Sequence, residues 1–191
     1  VRGGTVPSVV DLCNSALDKA GHGAITSLDD NTKAARLCLR NWPLVRDRVL
    51  RSHPWNFAVV RTNLAAHETA PDWGFTAKFP LPSDFLRLLE VRDLSTGEFQ
   101  LEKGFIHANA TVLYIRYISR IEDPNVYDSL FVDTVSTRLA AELAEPLTQS
   151  TTKKKALLEE YDVFLDDAKR ADAQENPPME FEEDSWIEVR Y

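Results

Sequence analysis

Apolar residues recur at three- and four-residue spacing over two stretches near the start of the chain, a period typical of amphipathic helices. The first stretch follows Ser8, a residue type that caps helices, and stops at Gly21. The second begins near residue 29 or 30 and continues to Leu50. Pro43 lies inside it and is expected to kink or split the helix, because proline removes a backbone donor and clashes with the preceding turn.

The pattern changes at His53-Pro54-Trp55, and from there to about residue 120 the apolar residues favour strands. The predicted strands span residues 56–61, 86–92, 99–101, 105–107 and 112–118. The third and fourth of these flank a turn at Lys103-Gly104. Pro71 and the segment Pro80-Leu81-Pro82 mark loops.

Helical periodicity returns after Asp123-Pro124, an N-cap followed by proline, and Pro146 is expected to end that helix. A fourth helix is predicted from residue 151 or 152 to Gln174, with one apolar stripe on an otherwise charged surface. The segment Asn176-Pro177-Pro178 then separates a tail of different composition.

These elements predict an α+β fold that is mainly α: a four-element helical bundle with a small antiparallel β insertion in the middle and an extended C-terminal tail. Residues 1–55 and 121–175 would form the bundle domain, residues 56–120 the β-rich insertion, and residues 176–191 an acidic aromatic tail. Because the two halves of the bundle are distant in sequence, both ends of the chain would contribute to one core.

Composition limits the classes of protein that this chain can represent. Its 191 residues, 43% of them hydrophobic, suffice for one core and fall short of two independent domains. The net charge of -8 argues against a protein that coats nucleic acid, because phosphate binding requires clustered cations. No run of about 18 apolar residues occurs, so we expect a soluble protein made in a cytoplasm, without membrane association.

Charge is distributed unevenly along the chain. Residues 30–61 contain seven cations and two anions, a local net of +5, whereas residues 156–191 contain twelve acids and three cations, a local net of -9. One subunit could pack these segments together or leave both solvated. Alternatively, they could form head-to-tail contacts between identical copies, which close into a ring. Arg46, Arg48 and Arg51 are the candidates for such a subunit contact.

The tail combines acidic residues with large apolar ones, whereas disordered segments are usually poor in aromatics. Its apolar residues are Met179, Phe181, Trp186, Ile187, Val189 and Tyr191. This composition favours a segment that becomes ordered on a partner, since Trp and Tyr dominate interface energetics. Phe181, Trp186 and Tyr191 are therefore candidate contacts to a neighbouring subunit or another protein.

The chain lacks the familiar catalytic motifs: it has no Gly-rich phosphate loop, no G-x-S-x-G and no H-E-x-x-H. Cys13 and Cys38 form no C-x-x-C pair and are expected to be buried core thiols. The four histidines are scattered. We therefore predict no catalytic residue, no cofactor and no metal site, and expect that the protein is not an enzyme.

Several sequence blocks resemble the head-to-tail adaptor family of podoviruses, the short-tailed bacteriophages, whose members are known as tail tubular protein A or gatekeeper proteins. The most specific block is Arg-Ser-His-Pro-Trp-Asn-Phe-Ala at residues 51–58, and Leu-Pro-Ser-Asp-Phe-Leu-Arg at residues 81–87 is similar to the family's step into a strand. The similar blocks are residues 27–38, 45–58, 81–87, 113–118 and 139–144. Together the resemblance spans roughly residues 8–175 in the family's order. Pro43 and the tail after Pro178 depart from it.

The resemblance implies a structural virion protein that forms a dodecameric ring, a homo-oligomer, between the portal protein and the tail nozzle protein. DNA would pass through the central channel of the ring during ejection without sequence-specific binding. The protein would reside in the virion tail, and in the host cytoplasm during assembly. Trp55 and Phe57, within the most specific block, would have a packing role where the second helix leads into the β region.

Two other functions remain open at this point. Some adaptors of similar viruses are thought to attack peptidoglycan, so a tail-associated peptidoglycan hydrolase is the main alternative. Its two catalytic acids would have to face each other across a cleft, and neighbouring acids such as Glu159 and Glu160 point apart on a helix. The second alternative is a cellular interaction module, which the β region and residues 51–58 argue against.

Overall fold

The computed structural model describes residues 7–175 of the chain. Within this range the α-helices are α1 Val9–Ala20, α2 Lys33–Ser52, α3 Ser129–Thr148 and α4 Thr151–Glu175. The strands are β1 Val59–Ala65, β2 Ala77–Pro80, β3 Phe85–Val91, β4 Phe99–Glu102, β5 Phe105–Ala108 and β6 Val112–Ser119. Short 3-10 turns at Asn56–Ala58 and Pro124–Val126 join the helices to the strands. None of the helices in residues 7–175 has the length and apolarity that crossing a bilayer requires.

Helix α1 begins and ends at the residues that the sequence predicted. The Asp11 backbone N–H donates to Ser8 Oγ at 3.2 Å, and the Ser8 backbone N–H donates to Asp11 Oδ2 at 2.8 Å. This reciprocal capping satisfies two backbone donors that helix formation leaves without partners. Gly21 ends the helix in the left-handed conformation with φ 76°, where a side chain would be strained.

The prolines inside α2 and α3 affect the helices less than the sequence predicted. Helix α2 is not split at Pro43, and α3 continues two residues beyond Pro146. A proline costs about 3 kcal/mol inside a helix, and the nine buried residues of α2 provide packing that outweighs this. Asp123 caps the second 3-10 turn, while α3 itself begins after Asp128, whose carboxylate accepts from the Leu130 N–H at 2.8 Å.

The six strands form two antiparallel sheets. The first sheet has the order β1-β6-β3 and the second the order β2-β5-β4. Strands β4 and β5 form the predicted hairpin around Lys103-Gly104, so that prediction is confirmed. Apolar residues of both sheets share one core, with Phe79 and Ile106 from the second sheet and Leu113, Ile115 and Tyr117 from the first. The sheets therefore pack against each other and bury a core of their own.

A second core lies among the helices, with α3 at its centre. Helix α3 packs against α1, α2 and α4, and ten of its residues are buried. By contrast, Leu157 and Ala168 are the fully buried residues of α4. Leu86 and Ile118 of the first sheet also belong to this core, so they join the β region to the helices.

Our prediction of a four-element helical bundle with one small antiparallel insertion is wrong. The fold is α+β, with four helices and two three-stranded sheets in the described residues. The helices group around α3 rather than forming a regular bundle, since α1, α2 and α4 each pack mainly on it. The second sheet requires β2, which was not among the strands predicted from the sequence. The predicted extended tail at residues 176–191 lies outside the described residues.

Buried tyrosines give the fold a measurable dependence on alkaline pH. Burial, reinforced by a hydrogen bond to Asp84, raises the pKa of Tyr117 to about 12, and burial raises the pKa of Tyr127 to about 12. Because both values exceed the unfolded value near 10, this stabilisation is complete below pH 10 and is lost as the pH rises towards 12. We expect both tyrosines to contribute to this loss.

Ultraviolet absorbance of tyrosinate during a pH titration measures this effect directly. We expect two tyrosines of the folded protein to ionise about two pH units later than a free tyrosine, together with the onset of alkaline unfolding. The variant Tyr117→Phe should lose one of these late ionisations. A titration in which every tyrosine ionises near pH 10 while the protein remains folded would contradict the prediction.

Candidate functional site

The outer face of α2 is basic and carries exposed aliphatic side chains. Arg36, Arg40 and Arg48 are exposed on it, and Leu39 and Leu44 are 53% and 64% exposed. The Arg36 guanidinium donates to Asn31 Oδ1 at 2.7 Å. The Arg40 side chain makes no hydrogen bond or ion pair with the rest of residues 7–175. We call this surface the basic face.

The outer face of α4 is acidic. Its exposed acids are Glu159, Glu160, Asp162, Asp166 and Asp167. Val163 lies among them and is 60% exposed. Three of the acids are paired, including Glu160, which lies 3.3 Å from Lys19 Nζ. Glu159 and Asp162 make no ion pair within the described part of the chain. We call this surface the acidic face, and it complements the basic face in both charge and exposed aliphatic groups.

Helix α3 lies between the two faces. Helices α2 and α4 pack mainly on α3 and not on each other, so the basic and acidic faces are both directed away from the core. Of the arrangements that the sequence left open, pairing between residues 30–61 and 156–175 is limited to the contact of His53 with Asp172, and no Lys or Arg of the first segment pairs with an acid of the second. Both faces remain accessible to a partner.

The three arginines singled out from the sequence lie in different environments. Arg46 is 7% exposed, and its guanidinium lies 2.9 Å from Asp47 and 3.8 Å from Glu122. Arg51 donates to the backbone oxygen of Leu86 and so links α2 to β3. Arg48 and Arg51 are both exposed, and Arg48, whose side chain is 58% exposed, also pairs with Glu142 at 3.1 Å. Phe181, Trp186 and Tyr191 lie outside the described residues.

A carboxylate that sequence analysis did not single out fastens α4 to the start of the β region. Asp172 accepts from the Asn56 backbone N–H at 2.9 Å and lies 3.0 Å from His53 Nε2. The Asn56 side-chain amide donates to the Asp172 backbone oxygen at 2.8 Å. No spacing in the sequence points to this contact, because the partners are more than a hundred positions apart.

Trp55 is the packing anchor of the same region, as the sequence predicted. It is 1% exposed, and its indole N–H donates to the Val49 backbone oxygen at 3.0 Å. Its ring meets Phe131 of α3 edge-on at 5.1 Å between ring centroids and stacks near Phe57 at 6.3 Å. Residues 53–57 thus form the junction at which α2, α3, α4 and the first sheet meet.

The loop between β1 and β2 presents a different aromatic surface. Trp73 is 87% exposed. It borders a cleft of about 460 Å³ that also involves Phe75, Phe105 and His107. An exposed tryptophan of this kind is a typical interface anchor, because Trp is enriched among residues that dominate binding energy.

Nucleophiles and metal ligands are not assembled in the described part of the chain. No group of three or more His, Cys, Asp or Glu side chains there has the arrangement that holds a metal ion. The Cys13 and Cys38 thiols are both buried, and the neighbouring Cys38 thiol, together with burial, raises the pKa of Cys13. A thiol in this state is a poor nucleophile.

Neither the models of known protein families nor the curated proteins provide a match to this chain.

Proposed function

We propose that this protein is a structural virion component, a subunit of the ring-shaped adaptor between the portal protein and the tail nozzle protein of a short-tailed phage. The observation that carries the proposal is the pair of complementary faces on one subunit, one basic and one acidic, separated by α3. Each face includes exposed aliphatic side chains, Leu39 and Leu44 on one and Val163 on the other. The sequence blocks that resemble podoviral adaptors support the same function.

Two different complementary faces on one subunit favour a closed ring. A head-to-tail contact places the basic face of each copy on the acidic face of the next, and such heterologous contacts form a ring when the rotation closes. The aliphatic residues would form the apolar centre of the contact, and the charged residues its polar rim. Opposite charges would also select the correct orientation of neighbouring copies. The number of twelve subunits comes from the resemblance alone.

The overall charge is compatible with a channel that DNA passes without adhering. A net charge of -8 per subunit repels phosphate and opposes the counterion release that drives nonspecific DNA binding. DNA could therefore move through the ring without the strong retention that a basic lumen would cause.

The solution mass of the purified protein, measured alone and after mixing with the candidate portal ring, tests the proposal. We expect a stoichiometric ring of subunits to join the portal, and we expect added salt to weaken ring closure. The Debye length falls to about 8 Å at physiological ionic strength and to about 3 Å at 1 M salt, so charge attraction between the faces is screened. A protein that stays monomeric and does not bind the portal would contradict the proposed function.

A further inference from the structure

A groove runs from the end of α4 to the exposed part of the first sheet. Its sheet end is a cleft of about 540 Å³ with Arg61, Arg92, Tyr114 and Arg116 in its lining. A second cleft, of about 660 Å³, shares Arg61 and Arg116 with the first. The rest of its lining comes from the junction between α2 and β1, from β3 and from the end of α4. Those residues are His53, Pro54, Asn56, Val59, Leu89, Asp172, Ala173 and Glu175. We call the combined surface the arginine groove.

The sheet end of the groove has more positive charge than its own acids neutralise. Arg61 on β1 lies directly opposite Arg116 on β6 in the antiparallel register, an arrangement that is normally destabilising. Arg116 lies 3.2 Å from Glu90, the acid within this cleft. The Arg61 side chain makes no hydrogen bond or ion pair with residues 7–175. An anionic group that binds over Arg61 and Arg116 would offset the repulsion that Glu90 leaves between them.

The same end also offers apolar contact. Tyr114 is 51% exposed and Val112 is 43% exposed, and both precede Arg116 on the outer side of β6. Leu89 adds a partly buried aliphatic side chain in the adjoining cleft. A ligand that fits this surface therefore combines carboxylates with large apolar side chains.

The chain itself contains such a ligand, and it starts at the groove. Helix α4 ends at Glu175, which lines the second cleft. The sixteen residues that follow include five acids, one arginine, and the aromatic residues Phe181, Trp186 and Tyr191. At about 3.3 Å per residue an extended segment of this length reaches roughly 50 Å. Asp172 and Glu175 make the α4 end of the groove acidic, so they repel an acidic segment there. Such a segment is therefore favoured at the other end of the groove, beside the arginines.

We infer that the arginine groove binds residues 179–191 of its own chain in the free subunit. Tethering through three residues, Asn176-Pro177-Pro178, gives the segment an effective concentration in the millimolar range, so even a weak contact is populated within one molecule. The acids of the segment neutralise Arg61 and add to the exposed pairs of Arg92 with Asp93 and Arg116 with Glu90, and its aromatic side chains cover Tyr114. This contact is a property of the monomer and does not depend on the ring proposed above.

The indole N–H signal of Trp186 in a two-dimensional NMR spectrum of the full chain tests the inference. The variant Trp186→Phe identifies this signal, because the signal disappears from its spectrum. We expect its chemical shift to differ from that in a free peptide of residues 176–191. The double variant Arg61→Glu/Arg92→Glu should move the signal to the free-peptide position. As a control of equal charge change, Lys103→Glu/Lys155→Glu alters exposed lysines outside the groove and should leave the signal in place.

The stability of the single variant Arg61→Glu separates binding from an indirect loss of folding. This change creates an opposite-charge pair with Arg116, so we expect an unchanged or higher Tm while the Trp186 shift moves towards the free-peptide value. Equal Trp186 shifts in the full chain and the peptide would overturn the inference. It would also be overturned by a shift that survives the double variant, or by one that disappears on tenfold dilution, since the latter indicates binding to a second copy.

Discussion

Replacing Trp55 with alanine is expected to lower the free energy of unfolding by about 3 to 5 kcal/mol, as large aromatic truncations in a packed core do. The side chain is 1% exposed and contacts Phe57 and Phe131 at the junction of the helices and the first sheet. A cavity here weakens both parts of the fold at once. Domains of this size are stable by about 5 to 15 kcal/mol, so the variant should unfold at a much lower urea concentration.

Two control variants separate the contributions at this position. Trp55→Phe keeps an aromatic ring and loses the hydrogen bond to the Val49 backbone oxygen, so we expect a smaller loss of about 1 to 3 kcal/mol. Trp73→Ala removes the same side chain where it is 87% exposed and should change stability by less than about 0.5 kcal/mol. If Trp55→Ala destabilised no more than Trp73→Ala, the packing role of residues 53–57 would be refuted.

Local signals in the sequence were sufficient for the boundaries of α1 and α4, whereas α2 and α3 begin later than predicted. Ser8 and Asp11 gave the start of α1, since a capping box depends on residues three apart. The hairpin of β4 and β5 was also predicted, because Lys103-Gly104 forms a tight turn between two short apolar runs. In each case the residues that determine the structure are neighbours in the chain.

The two-sheet arrangement could not be predicted in this way. Strand β2 has four residues, ends in Pro80 and pairs with β5, almost thirty positions away. Which strands share a sheet depends on contacts between distant segments, and a short edge strand gives little periodic signal. The prediction of one small sheet therefore failed at β2, the element with the weakest local pattern.

For the candidate surface, charge counting singled out α2 but did not separate exposed from buried arginines. The spacing of Trp42, Arg46 and Val49 places Arg46 on the buried side of α2, and this signal was present in the sequence. Arg40, which lies outside that stripe, is exposed and was not singled out. Asp172 gave no signal, because its partners His53 and Asn56 are fixed only by the folded chain.

Reversing the charge of either complementary face should abolish ring formation on the portal. The first variant carries Arg36→Glu and Arg40→Glu, and the second carries Glu159→Lys and Asp162→Lys. In either variant alone every subunit contact would bring like charges together, which costs several kcal/mol per contact. A loss of 2.8 kcal/mol already weakens a contact about a hundredfold. We therefore expect mass measurements to show no ring for either variant.

An equimolar mixture of the two variants should form the ring again. The reversed basic face of the first variant is acidic and matches the reversed acidic face of the second, and the two unaltered faces match in the same way. Copies must then alternate around the ring, which closes only with an even number of subunits, as a dodecamer allows. A chain that carries all four changes should also assemble alone, which shows that the substitutions preserve the fold.

If the mixture stayed monomeric while the fourfold variant assembled, the ring would have an odd number of subunits. If neither assembled, α2 and α4 would not form the contact.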